Sequence, residues 1–192
     1  MYKKSAGALI AMLALSALSS AMAADTYKIE GVHTSVLFKA KHMNISWVWG
    51  RFNAVEGSVV FDEANPAGSS VEATVKADSV DTGEPKRDAH LKKPDFFDST
   101  QFPTITFKSK SVEKGKDADT FDVTADFTLH GVTKPVKVTF TKTGQAADPK
   151  GNAHIGFEGA FTIKRTDYGM NFMVGPVSDE IPITLDIDAV KQ

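Results

Sequence analysis

The chain has 192 residues, 42% hydrophobic and 24% charged, with 22 basic against 24 acidic side chains and a formal net charge of −2. That mild acidic balance supplies no basic stripe for nucleic acid. The absence of cysteine excludes disulfides, thiolate nucleophiles and cysteine-ligated metals.

Lys3 and Lys4 open a short positive segment, Ala6 to Leu18 is apolar or small throughout, and Ala21-Met22-Ala23 places small residues where a signal peptidase reads them. This is the pattern of an export signal at residues 1–23, cleaved after Ala23. The apolar run is too short to span a bilayer, so no stable transmembrane anchor is expected. Residues 24–192 are then one domain, expected in the periplasm or secreted.

Within that domain the rhythm has a period of two. Val36, Phe38 and Ala40 alternate with Leu37, Lys39 and Lys41, and Gly50 to Phe61 alternates more weakly through Phe52, Val59 and Phe61. Further runs are Val71 to Ala77, Ile105 and Phe107, Phe121 to Leu129, Val136 to Phe140, Ile155 to Ile163 and Ile181 to Ile187. Successive side chains of a strand point to opposite faces, so each run builds one apolar and one wet face. Turn clusters separate them, such as Asn65-Pro66-Ala67-Gly68 and Asp148-Pro149-Lys150-Gly151-Asn152. One short helix is predicted over Lys86 to Lys93, with Pro85 in its first turn and Pro94 as its stop. Eight amphipathic strands can form a two-sheet sandwich or close into a barrel.

Few positions suggest chemistry. His42 to Trp49 is an apolar stretch that holds both tryptophans, and Met43, Ile45, Trp47 and Trp49 are candidates for a pocket mouth or for a strand under the helix. Arg87, Asp88 and His90 offer either a headgroup clamp or bonds that pin the helix. Arg165 and Asp167 offer an ion pair locking a turn or a headgroup contact. The five histidines (His33, His42, His90, His130, His154) lack metal-ligand spacing, so no metal site is expected. No Gly-x-Ser-x-Gly elbow or phosphate loop is present, so no enzyme activity or required cofactor is expected.

Several motifs occur in order: His33-Thr34-Ser35-Val36-Leu37-Phe38, Gly50-Arg51-Phe52, Arg87-Asp88-Ala89-His90-Leu91, Asp95-Phe96-Phe97-Asp98, Phe102-Pro103-Thr104-Ile105-Thr106-Phe107, Leu129-His130-Gly131-Val132-Thr133-Lys134-Pro135 and Arg165-Thr166-Asp167-Tyr168-Gly169. Together they closely resemble the YceI-like family of bacterial exported, polyisoprenoid-binding proteins over essentially all of residues 24–192. The resemblance implies an all-β, extended eight-stranded antiparallel lipocalin-like barrel. It also implies that a long-chain isoprenoid lipid or isoprenoid quinone is bound, and carried or stored, in the apolar interior. By parity the lining candidates are Phe38, Ile105, Phe107, Phe127, Val138, Phe140, Phe157, Phe161, Ile183 and Leu185, the alternative being a solid core. Two other readings stay open: a metal- or small-molecule-binding stress protein, and a non-catalytic interaction module with a filled core. Homodimer pairing and transient membrane contact are left open as well.

Overall fold

Residues 24–192 are described in the computed structural model; the export signal read at residues 1–23 lies outside the described residues. The strands are β1 (Asp25–Ile29), β2 (Ser35–His42), β3 (Ser46–Phe52), β4 (Val55–Phe61), β5 (Ser70–Lys76), β6 (Val80–Asp81), β7 (Thr104–Lys114), β8 (Thr120–Leu129), β9 (Val132–Ala147), β10 (Ala153–Lys164) and β11 (Glu180–Lys191). One helix, α1 (Pro85–Leu91), falls between β6 and β7.

Three pairs of segments each act as one long strand with a break. β1 and β2 both pair with β11, β4 and β3 pair with β1 and β2 respectively, and β5 and β6 pair with β4 and β3. Counted this way, eight antiparallel strands follow one another in space as they do in sequence, and the first returns to the last. The architecture is a closed up-and-down barrel, which leaves few free edges. The eight alternating runs of the sequence are these eight strands.

The breaks have a purpose that the alternation records. A one-residue slip sends every later side chain to the opposite face unless an irregularity restores the phase. Tyr27 and Ile29 are buried in β1, but β2 turns its even-numbered Val36 and Phe38 inward. Phe52 gives way to Val59 and Phe61, and Val71 and Val75 give way to Val80. All three strands change parity at their breaks. The breaks are stitched to neighbours: the Thr34 hydroxyl donates to Asp188 O (3.2 Å) and accepts from Asp188 N–H (3.1 Å). Asn53 N–H donates to Ser79 O and Ala54 N–H to Ser79 Oγ, both at 3.1 Å.

At one end of the barrel the wall is incompletely hydrogen-bonded. β6 pairs with β3, and β7 pairs with β5 and β8, leaving no ladder between β6 and β7. α1 and the chain after it cross this end. β9 meets β10 only over Phe140–Ala147, and beyond that the gap is bridged by His130 Nδ1 against Tyr168 O at 3.0 Å. This is the open end. The other end is shut by Phe61, whose ring meets Phe121 at 5.1 Å and Phe157 at 5.2 Å edge-on.

The helix predicted over Lys86 to Lys93 forms over Pro85–Leu91 and ends before Pro94. The stretch His42 to Trp49, read as one strand in its structural alternative, instead turns a corner. Met43 and Asn44 take φ of 50° and 60°, and Ile45 N–H donates to His42 O. That is a tight hairpin turn of the primed kind, and it joins β2 to β3.

Candidate functional site

The inward parity of the barrel surrounds an elongated cavity of about 150 Å³. Its walls are side chains from nearly every strand, with Leu91 of α1 and Phe96, Phe97, Met170 and Val177 closing over the open end. Thr34, Thr106 and Arg165 are the only polar side chains in that lining. Toward the closed end a second void of about 40 Å³ follows, and Val71, Phe140 and Ile187 line both. Those three residues form the wall between the two.

Of the lining candidates, Phe38, Ile105, Phe107, Phe127, Phe140, Phe161, Ile183 and Leu185 border the main cavity, and Phe157 borders the smaller void. Val138 borders neither and is 2% exposed; it is solid core. It packs beside Phe140 into the space that Gly159 of β10 leaves without a side chain.

Three phenylalanines from separate parts of the chain frame the open end. Phe38 and Phe52 are 5.5 Å apart, and Phe97 stands edge-on to both at 6.2 and 5.3 Å. Leu91, Phe96 and Phe97 were not among the lining candidates. The available signal was Asp95-Phe96-Phe97-Asp98, two aromatic rings inside an otherwise polar loop.

α1 is held from outside the cavity. The Glu84 carboxylate accepts from Arg87 N–H at 2.6 Å, capping the helix. Both Arg87 and Asp88 then grip Thr82: Arg87 Nε donates to Thr82 Oγ1 and its Nη2 to Thr82 O (2.7 and 2.8 Å), while Asp88 accepts from Thr82 N–H (2.8 Å) and hydroxyl. His90 Nε2 lies 2.8 Å from Asp95 Oδ2, its ring edge-on to Phe96 and Phe172. None of Arg87, Asp88 and His90 borders the cavity. They pin the segment that brings Leu91 and Phe97 there.

Arg165 departs from the expected ion pair. It is 3% exposed and donates to four backbone carbonyls: Ser178 O from Nε (2.9 Å), Met170 O and Phe172 O from Nη1 (2.8 and 2.7 Å) and Val177 O from Nη2 (3.1 Å). Asp167 turns outward to Lys134 at 3.6 Å. An extended segment would have put Arg165 and Asp167 on one side; Arg165–Tyr168 is instead a turn of 3-10 helix, which separates them. Burial pulls the guanidinium pKa down, and the nearby Asp179 carboxylate opposes that shift. Burial pushes Asp179 up, but donation from the Thr166 N–H (3.0 Å) and hydroxyl (2.9 Å) holds its carboxyl below the ordinary range. Arg165 thus organises the loop that roofs the open end, and its own side chain borders the cavity.

The four candidates of the mouth lie outside the cavity lining. Trp47 and Trp49 stand opposite Lys41 and Lys39 on the outer face of the β2–β3 ladder, while Phe38 and Gly50 share the inner one. Met43 and Ile45 form the exposed apex. Among the described residues no three His, Asp or Glu side chains are placed to hold a metal ion, and no helix is long and apolar enough to cross a membrane.

A closed antiparallel barrel around an apolar cavity defines a lipocalin-like fold. A YceI-like domain model matches residues 27–189, so the chain belongs to the YceI-like family. It is 42% identical over 194 residues to a UPF0312 protein of Pseudomonas aeruginosa (strain LESB58) and 42% identical to Protein YceI of Shigella flexneri, covering 100% of each chain in both cases. The crystal structure of the Campylobacter jejuni YCEI protein matches with a TM-score of 0.70 at 30% identity, covering 79% of this chain and 90% of that one. A polyisoprenoid binding domain from Saccharophagus degradans shares the fold with a TM-score of 0.70 at 17% identity, over 86% of this chain and 98% of that domain.

Proposed function

We propose that this protein binds a long-chain isoprenoid lipid or isoprenoid quinone, holds the tail in the barrel cavity, and carries or stores it in an extracytoplasmic compartment without catalysing a reaction. One observation carries the reading: a continuous cavity whose lining contains no ionisable side chain except Arg165, at its open end. Family membership and the polyisoprenoid-binding neighbour support it.

The physics of such a ligand suits these walls. An isoprenoid tail has many carbons and no hydrogen-bonding group, so it is held by burial alone, at about 0.8 kcal/mol per methylene before the cost of ordering a flexible chain. At about 150 Å³ the cavity matches the space that takes up a benzene-sized molecule. A tail of several isoprene units therefore needs the rings at the open end, Phe38, Phe96 and Phe97, to turn aside as it enters. All three rings are half-buried, and Phe96 and Phe97 sit on a loop outside the ladders, where a structure adjusts most readily.

The test is native mass spectrometry with organic extraction, on protein purified from its own bacterial compartment. A co-purifying species in the mass range of a long isoprenoid is expected. A ligand-free protein that also fails to take up an isoprenoid quinone overturns the reading. The same spectrum checks export, because cleavage after Ala23 gives a chain that begins at Ala24.

A further inference from the structure

We propose that the outer face and apex of the β2–β3 hairpin, together with residues 171–177, form a docking surface for an anionic lipid bilayer. The surface goes beyond the binding cavity: none of Met43, Ile45, Trp47, Trp49, Phe172, Met173 and Val174 borders it. These side chains are 39–79% exposed, and apart from Val32 they are all the exposed large apolar residues among the described ones. Solitary exposed apolar residues need no explanation, but their concentration at one site does.

The two segments are joined into one body. Met43 N–H donates to Pro176 O (2.7 Å), Lys41 N–H to Ser178 Oγ (2.9 Å), and His42 forms an isolated bridge with Val177. The two exposed methionines among the described residues both sit at left-handed backbone positions, Met43 at φ 50° and Met173 at φ 52°. Glycine or asparagine occupies such positions with less strain. A strained backbone that displays a flexible apolar side chain to solvent gains nothing in packing.

Charge selects the occupant. Residues 31–55 contain Lys39, Lys41 and Arg51 and no acidic residue, and residues 171–177 carry no charge, in a chain whose net charge is −2. Lys39 Nζ lies 4.6 and 5.0 Å from the ring centroids of Trp47 and Trp49, and Lys41 Nζ lies 5.5 Å from that of Trp47. Indole rings with ammonium groups alongside are suited to the headgroup layer, where the ring rests at the interface and the ammonium meets phosphate. Asp179 and Glu180 border the patch only on its β11 side, across the groove they share with Lys41 and Trp47. A second copy is disfavoured as occupant, because a two-fold contact sets Lys39 and Lys41 against themselves, whereas Arg51 already faces Asp81 across the β3–β6 ladder. The patch also adjoins the open end through Val177, which lines the cavity. A ligand insoluble in water then has a route from the bilayer that avoids solvent.

The chain's two tryptophans are both in this patch, so selectively excited tryptophan fluorescence reads it alone. With phosphatidylcholine vesicles containing phosphatidylglycerol, the emission is expected to shift to the blue and to be quenched by brominated acyl chains. Added salt should weaken binding, and K39A/K41A should weaken it about 30-fold, since each basic residue near an anionic surface contributes about a factor of five. Met43→Gly with Met173→Gly should bind vesicles less while leaving thermal stability unchanged or higher, which separates docking from folding. Emission unchanged by these vesicles at low salt overturns the proposal. So does equal binding to pure phosphatidylcholine, or a shift that follows protein concentration without vesicles. Lipid retained by K39A/K41A and found on extraction keeps the carrier reading intact whichever way docking falls.

Discussion

Gly50 and Phe38 face each other across the β2–β3 ladder, and the Phe38 ring fills the space that a side chain at Gly50 would occupy. The same ring is tilted against Phe52 and edge-on to Phe97 at the cavity's open end. Gly50→Ala must push it away, because a Cβ there overlaps ring atoms. Overpacking of this kind costs about 1–3 kcal/mol, which a urea midpoint will read. Phe38→Leu in the same chain should recover part of that loss. Equal destabilisation in both backgrounds would show that the ring is not what limits the site.

Arg165 should tolerate no substitute, lysine included. Its planar guanidinium reaches four carbonyls on three sides, and a single ammonium cannot follow that spread. Arg165→Met leaves buried acceptors without donors, at about 1–3 kcal/mol for each acceptor that water fails to reach. The damage should be concentrated where those carbonyls lie, in residues 170–178. Limited proteolysis is expected to cut Arg165→Met and Arg165→Lys there while the barrel strands stay protected. Uniform cleavage across the chain would assign Arg165 a global role instead.

The fold was legible because each β-run advertises its buried face. Phe121, Val123, Ala125, Phe127 and Leu129 alternate without interruption, and all five are buried in β8. Where alternation was weak, a break was the cause: from Phe52 to Val59 the inward parity changes at Asn53–Ala54, and a single-period reading blurs there. β1 is only five residues long with two buried side chains, too little pattern to stand out. The cavity was half legible. Parity separates inward from outward and so put eight of the ten lining candidates on the main cavity, but it cannot tell a lining residue such as Phe140 from a solid one such as Val138. Both point inward and both pack over Gly159 of β10, so neither their alternation nor that contact separates them. The partners of Arg165 were not legible, because they are carbonyls, which every residue has and no motif marks.

His154 gives the barrel a pH dependence of known sign. Its Nδ1 lies 2.6 Å from Asp188 Oδ1, and Nε2 lies 3.8 Å from Asp148 Oδ2. Hydrogen bonding to Asp188 raises the imidazole pKa; partial burial opposes this, and the nearby carboxylates reinforce it. A folded pKa above the unfolded value of about 6.5 means the pair contributes fully below that pH. The contribution is lost as pH rises through the folded pKa. The stability gap between the wild type and His154→Asn should therefore be larger at pH 5.5 than at pH 9, by chemical denaturation. A gap independent of pH would show that the imidazole is held by packing rather than by its charge.

Phe140 sets the depth of the cavity. It stands with Val71 and Ile187 between the main cavity of about 150 Å³ and the void of about 40 Å³ beyond. Its ring is wedged over Gly159 on β10 and lies edge-on to Phe107, 6.2 Å away, inside the barrel. Truncating it to alanine would cost about 3–5 kcal/mol, enough to threaten the fold. Phe140→Leu removes less and keeps an apolar branch against Gly159, while opening the wall between the two spaces. If a tail runs from the open end toward Phe61, its far end meets Phe140, and the variant should retain longer chains than the wild type. Organic extraction of both proteins from one host, with lipid masses compared, measures the shift directly. An unchanged mass distribution in a folded Phe140→Leu protein would place the end of the tail short of Phe140, in the half of the barrel framed by Phe38, Phe97 and Phe161.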